Sequence, residues 1–78
     1  MQNLDIEMTV IECLQNLIGN KELSHDSELL GLGIDSITFI RLVIDLEERF
    51  EFEVDDEDII LENFSTLEKV LELVNKYI

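Results

Sequence analysis

The sequence predicts an all-α protein, a small four-helix bundle with three longer helices and one short helix. Apolar residues recur at helical spacing along most of the 78 residues, proline is absent, and no segment sustains two-residue alternation. A chain of this length forms one domain, so residues 1–78 are expected to share a single core. Hydrophobic residues make up 46% of the chain, which is sufficient for such a core.

The first predicted helix runs from about Leu4 to Ile18. Its apolar residues fall on one side of a helical wheel: Ile6, Val10, Cys13, Leu14 and Leu17. Gly19-Asn20 follows, and both residue types tolerate the left-handed backbone that ends a helix. Residues 19–35 then form a long connection, whose leucines are expected to pin it to the core: Leu23, Leu29, Leu30 and Leu32.

The second predicted helix begins with Asp35 as its N-cap and ends near Phe50. One apolar side is suited to join the core and comprises Phe39, Leu42, Val43, Leu46 and Phe50. A second apolar side lies roughly opposite and comprises Ile37, Ile40 and Ile44, which we call the isoleucine strip. The pattern leaves two alternatives open, since this strip is either buried by the long connection or exposed for a partner.

The C-terminal part is predicted to contain a short and a long helix. Residues 50–54 alternate only briefly and are interpreted as an extended connector. A short acidic helix is predicted to begin at Asp55 or Asp56 and to include residues 59–61. The last helix opens with a capping box, with Ser65 as N-cap and Glu68 at N3. Its apolar face comprises Leu67, Val70, Leu71, Val74, Tyr77 and Ile78.

The segment Gly31-Leu32-Gly33-Ile34-Asp35-Ser36-Ile37 places a serine where a glycine-containing loop becomes a helix. Free backbone N–H groups and the helix dipole favour an anion there, so Ser36 is well placed to carry a phosphate. No catalytic partner accompanies it, because nothing in the sequence orients the single histidine, His25. Cys13 lies on the apolar side of its helix, which indicates a buried structural thiol. We therefore interpret Ser36 as an attachment point and predict that the protein is not an enzyme.

The charge of the chain restricts its partners. Nineteen acidic residues against five basic ones give a formal net charge of −14, and ten of the acids lie between Asp45 and Glu62. Such a surface repels nucleic acids and anionic lipids and attracts basic protein surfaces, although a solvated face is the simpler interpretation. Residues 55–58 lack the glycine and spacing of an EF-hand, so no metal site is predicted. The sequence has no signal-peptide or membrane-span pattern, so we expect a cytoplasmic protein. The oligomeric state is open in the sequence, and a monomer is our default expectation.

At this point the sequence resembles a known family. Gly33-Ile34-Asp35-Ser36-Ile37, followed by Leu42-Val43-Ile44-Asp45-Leu46-Glu47-Glu48-Arg49-Phe50, is similar to acyl carrier proteins and to peptidyl and aryl carriers. The resemblance extends over nearly the whole chain. It implies that Ser36 receives 4'-phosphopantetheine from coenzyme A through a magnesium-dependent phosphopantetheinyl transferase, and that cargo is held as a thioester. Gly33 and Asp35 would support the attachment site, and Asp35 would also help the transferase position its metal.

The resemblance also implies a docking surface. It assigns the isoleucine strip, Arg41, Glu47 and Glu48 to contacts with loading enzymes and synthases, whose basic patches would meet the acids, including Asp35. Part of the cargo would enter the bundle between helices. Thr38 and Arg41 stand where bacterial fatty-acid carriers tend to be acidic, which favours a dedicated carrier of polyketide, aminoacyl or aryl cargo. The alternatives are a housekeeping fatty-acid carrier and an unmodified acidic adaptor.

Overall fold

A computed structural model describes the backbone of residues 3–78 and the side chains of residues 6–78. The helices are α1 (Asn3–Ile18), α2 (Leu29–Leu32), α3 (Thr38–Phe50) and α4 (Leu67–Tyr77). Two 3₁₀ turns, Asp56–Asp58 and Leu61–Phe64, lie between α3 and α4. The three long helices confirm the predicted all-α bundle, but the short helix α2 lies within residues 19–35, which were predicted to be a connection, and not near residues 55–61.

The core forms where α1 packs against both α3 and α4. The predicted apolar sides of these helices are largely buried, with Val10 and Leu14 of α1 meeting Leu42 of α3 and Val70 of α4 in one cluster. Phe64 is fully buried, and its ring lies 5.4 Å from that of Phe39. α3 therefore buries the side that faces α1 and exposes its other side.

The long connection before α3 is ordered by the core and by hydrogen bonds. Leu29 is fully buried, and its N–H donates to the Ser65 carbonyl at 2.8 Å. Leu23 and Leu32 are partly buried against the core, whereas Leu30 is 47% exposed. The expectation that all four leucines pin the connection is therefore wrong for Leu30, because the single turn of α2 turns only part of its surface inward.

The predicted short helix near residues 55–61 is replaced by the two 3₁₀ turns. Ile59, which is partly buried, has φ −84° and ψ 71°, a conformation that interrupts helical hydrogen bonding. The Asn63 side chain donates to the Asp58 carbonyl at 2.9 Å and competes with a backbone bond there. The prediction assumed that residues 59–61 share a helix. In the structure Ile60 is exposed between two partly buried neighbours, and this alternation is typical of extended chain.

The predicted capping box of the last helix is also wrong. Thr66 is the N-cap, and its hydroxyl accepts from the Lys69 N–H at 3.1 Å. Ser65 has helical dihedrals and donates its hydroxyl to the Glu62 carbonyl, so it closes the preceding turn. Glu68 therefore stands one position too early for N3, and its N–H donates to the His25 carbonyl at 2.9 Å. The predicted apolar face missed Leu73, which is buried, and included Ile78, which is 53% exposed.

Candidate functional site

Residues 32–34, which lead into α3, are fixed by backbone geometry, burial and hydrogen bonds. α2 ends at Gly33, whose φ of +122° is a conformation that L side chains rarely adopt. A Cβ at this position would also lie 3.4 Å from Cγ2 of Ile18. Ile34 is buried, and its N–H donates to the Leu29 carbonyl at 3.0 Å. The Lys21 ammonium donates to the Leu32 carbonyl at 2.8 Å, and this bond joins the beginning of the long connection to the end of α2.

Asp35 caps the beginning of α3. Its Oδ1 accepts from the N–H groups of Ile37 at 3.1 Å and Thr38 at 2.7 Å. These contacts lower the pKa of the Asp35 carboxyl, with the backbone hydrogen bond from Thr38 as the largest cause. The predicted hydrogen bonding by the Asp35 side chain is confirmed, although Ile37 and not Asp35 occupies the N-cap position directly before the helix. The predicted boundary is not confirmed, because regular helix begins at Thr38 and residues 36–37 form a turn between Asp35 and the helix.

Ser36 lies in this turn and is exposed. Within the described part of the chain its hydroxyl has no hydrogen-bond partner, and the adjacent Asp35 carboxylate is bonded to the N–H groups of Ile37 and Thr38 instead. His25, the single histidine, bonds through Nε2 to Glu7 Oε1 at 2.5 Å, on the side where the connection meets α1 and α4. The expectation that nothing orients His25 is therefore wrong, although its partner is a carboxylate of α1 and not Ser36. The arrangement presents a hydroxyl to an incoming enzyme without activating it.

The isoleucine strip is exposed, which decides between the two alternatives that the sequence left open. Ile37, Ile40 and Ile44 are 74%, 41% and 49% exposed, while Phe39, Leu42, Val43 and Leu46 on the other side of α3 are buried. The strip begins one residue after Ser36. An exposed apolar surface therefore lies directly beside an accessible hydroxyl.

The three charged residues predicted around the strip behave differently. Arg41 and Glu48 are exposed on α3. Glu47 is partly buried, and its carboxylate accepts from the Val54 N–H at 2.9 Å. Its carbonyl accepts from the Phe52 N–H at 3.2 Å, after the chain turns through left-handed Glu51. Glu47 thus holds the connector after α3, a structural role that the sequence did not reveal.

The remaining reactive residues lie apart from Ser36. Cys13 is buried, as predicted, and burial raises the pKa of its thiol. The Asp58 carboxylate binds the Lys76 ammonium at 2.8 Å and the Tyr77 hydroxyl, and these contacts lower its pKa. Among the described residues, no three His, Cys, Asp or Glu side chains are grouped to hold a metal ion. No helix in the described range combines the length and apolar character needed to span a bilayer.

A pocket of about 220 Å³ opens between α1, the long connection and α4. Ile6, His25 and Leu71 are among its lining residues, and Glu7, Glu68, Glu72 and Asn75 complete the lining. No residue of α3 contributes to it. This pocket therefore belongs to the region where α1 and the long connection meet α4, and it is not part of the surface around Ser36.

Comparisons with known proteins agree with this geometry. Residues 9–74 match the family model described as "Phosphopantetheine attachment site". The acyl carrier protein of Buchnera aphidicola subsp. Baizongia pistaciae (strain Bp) is 27% identical, over 100% of this chain and 99% of that protein. The acyl carrier protein of Buchnera aphidicola subsp. Schizaphis graminum (strain Sg) is 32% identical, over 85% of this chain and 81% of that protein.

The fold is also similar to a solved structure. The match is to a chain from the crystal structure of Bradyrhizobium japonicum glycine:[carrier protein] ligase complexed with glycylated carrier protein, with a TM-score of 0.78. It covers 88% of this chain and 97% of that chain at 19% identity. At this identity the likeness establishes a shared fold.

Proposed function

Because the chain belongs to the family of carriers defined by a phosphopantetheine attachment site, we propose that Ser36 is the residue that bears its 4'-phosphopantetheine. Membership makes the protein a non-catalytic carrier and 4'-phosphopantetheine its cofactor. The observation that carries the choice of residue is the exposed Ser36 between a hydrogen-bonded cap and an exposed apolar strip.

The dipole of α3 supports a phosphodiester at this position, while the N–H groups of Ile37 and Thr38 are bonded to Asp35. Ser36 lies two residues before Thr38, where the positive dipole end of the 13-residue helix α3 is located. Asp35 holds the turn in place through the N–H groups of Ile37 and Thr38. The residue proposed to carry the arm is therefore held by its backbone neighbours, and its side chain is exposed to solvent. Tethered cargo then reaches each partner enzyme at a high effective concentration.

Intact mass spectrometry tests the attachment residue. The native chain is incubated with coenzyme A, Mg²⁺ and a broad-specificity phosphopantetheinyl transferase, and we expect the addition of one phosphopantetheine. Ser36→Ala should remain unmodified. Ser24→Ala, which removes an exposed hydroxyl from the long connection, should be modified like the native chain. A native chain that stays unmodified, while the same transferase modifies another carrier, would reject the proposal.

We propose that the cargo belongs to a specialised pathway, as a polyketide, aminoacyl or aryl intermediate. The first turn of α3 contains no acidic residue, and Arg41 adds a positive charge beside the strip. A partner whose docking surface is uniformly basic is disfavoured by that charge. The alternative is a housekeeping fatty-acid carrier, and the names of the two Buchnera relatives favour it.

Charging assays distinguish these pathways. The holo form is offered to a loading panel, which consists of adenylating and acyl-transferring enzymes from neighbouring genes together with fatty-acid synthase enzymes. We expect the highest kcat/KM with an enzyme from a neighbouring gene. Efficient charging only by fatty-acid synthase enzymes would establish the alternative.

The partners proposed for the docking surface are the transferase and the loading enzymes. Ile37, Ile40 and Ile44 would supply apolar contact, and Glu48 and Asp35 would meet basic groups. Glu47 contributes charge near this surface, although its carboxylate also holds Val54. We further propose that residues 1–78 act as one domain and as a monomer in the cytoplasm, where coenzyme A supplies the arm. Size-exclusion chromatography with light scattering tests the monomer.

A further inference from the structure

Arg41 is the basic residue that α3 presents beside the isoleucine strip. Ile37 lies four residues before it and Ile44 three residues after it, so both are its side-chain neighbours on the helix surface. Arg41 is exposed and forms no ion pair with any residue that the structure describes. A cation with no internal partner therefore stands at the flank of an exposed apolar surface.

The other basic residues are placed differently. Lys21, Arg49 and Lys76 are engaged within the chain, by the Leu32 carbonyl at 2.8 Å, Glu12 at 2.5 Å and Asp58 at 2.8 Å respectively. Lys69 is exposed on α4, whereas the isoleucine strip belongs to α3 and the turn before it. In a chain with a formal net charge of −14, Arg41 is thus the cation available to a protein that covers the strip.

We propose that the loading enzyme of this carrier places a carboxylate opposite Arg41, so that Arg41 selects that enzyme. The inference rests on the proposed function, since it names the chemistry of the partner that covers the same surface. When an apolar surface covers the strip, the guanidinium loses part of its water, and an uncompensated charge there opposes binding. A carboxylate offsets that loss with two parallel hydrogen bonds, a geometry suited to arginine.

The surrounding charges make this requirement selective. Glu48 on the same helix is exposed, and the chain as a whole attracts basic surfaces. The complementary partner surface is therefore apolar and basic, with one acidic residue in register with Arg41. A surface that is basic throughout would be attracted at long range but would repel Arg41 on contact.

A pair of charge reversals tests the proposal with the enzyme of the loading panel that charges the native holo form most efficiently. Arg41→Glu and Lys69→Glu make the same change in net charge, and both positions are exposed on helices. We expect Arg41→Glu to raise KM about tenfold with little change in kcat, and Lys69→Glu to change KM less than about twofold. Replacing the facing carboxylate of the enzyme by arginine should restore charging of Arg41→Glu.

The sign of the effect decides the outcome. Better charging of Arg41→Glu than of the native chain would mean that a base faces position 41, and this would overturn the inference. An equal loss in Lys69→Glu, or no charging of any form by the panel, would also overturn it. Addition of phosphopantetheine at Ser36 is measured in the same samples. If the native chain is modified but the charging result is contrary, only the inference fails; if it is not modified, the proposed function fails.

Discussion

At the scale of single residues, the backbone conformation of Gly33 sets the course of the chain just before Ser36. Gly33 has φ of +122°, and a Cβ there would be in van der Waals contact with Ile18, whereas a Cβ at Gly31 in α2 would meet open space. The two glycines lie two residues apart but differ in what a side chain would meet. Only Gly33 is required by the conformation of the chain.

We expect Gly33→Ala to lower the free energy of unfolding by about 1–2 kcal/mol, because alanine is strained at this φ. Gly31→Ala is the matched control and should be neutral or slightly stabilising, since alanine favours helix. Urea denaturation of both variants provides the measurement. Equal stability of the two variants would contradict the role assigned to Gly33.

Asp35 gives a residue-scale prediction for pH. Its folded-state pKa is lowered by the hydrogen bonds from Thr38 and Ile37. The charged cap therefore stabilises the fold at pH values above the unfolded pKa of about 4, and this contribution disappears as pH falls through the folded pKa. NMR titration of the Asp35 carboxyl should give a value below that of an unstructured aspartate. In Asp35→Asn the acid-linked loss of stability should be smaller than in the native chain, and an identical loss would count against the cap.

At the scale of elements, the N-terminus of α4 shows how a cap is chosen by dihedral angles. Thr66 has an extended backbone, with φ −135° and ψ 162°, and Ser65 has a helical one. Both residue types are favoured caps, so the local sequence does not discriminate between them. The preceding 3₁₀ turn uses Ser65 to close itself, which leaves Thr66 as the cap.

We expect Thr66→Ala to lower the free energy of unfolding by about 1 kcal/mol, because the Lys69 N–H loses its acceptor. Ser65→Ala should cost less than about 0.5 kcal/mol, since its hydroxyl bonds a carbonyl that remains accessible to water. Thermal unfolding followed by circular dichroism compares the two. A larger loss of stability in Ser65→Ala than in Thr66→Ala would instead support Ser65 as the N-cap and contradict the structure.

At the scale of the whole molecule, the excess of negative charge opposes compaction. The formal net charge of −14 is spread over 78 residues, and exposed acids such as Asp56 and Glu57 have no ion-pair partner among the described residues. Self-repulsion of this kind is screened by salt within about 10 Å at 0.1 M ionic strength. The same charge speeds encounter with basic partners, so the property that weakens the fold assists docking.

We expect the urea midpoint to rise when sodium chloride is raised from about 20 mM to about 500 mM, because screening relieves repulsion in the folded state. Glu57→Gln should stabilise the protein at low salt. Glu12→Gln, which removes a similar charge but breaks the ion pair with Arg49, should give a smaller gain or a loss. A midpoint that falls with salt would contradict this account.

The sequence alone determined the three long helices, most of their buried residues and the Gly33–Ile37 motif, because helical periodicity and this motif are local patterns. It also determined that Asp35 caps α3, since an aspartate before a helix accepts from the first free N–H groups. Ser36 as the attachment residue is still a prediction, which the mass-spectrometry experiment addresses.

Only the tertiary structure decided which residues are buried by distant segments and which distant residues bind each other. It exposed the isoleucine strip, because α1 covers only one side of α3. It paired His25 with Glu7 and Glu47 with Val54, contacts between residues 18 and 7 positions apart. It also replaced the predicted short helix by two turns and moved the cap of α4 to Thr66. Burial and hydrogen-bond partners depend on which segments meet in space, and local sequence patterns do not specify those meetings.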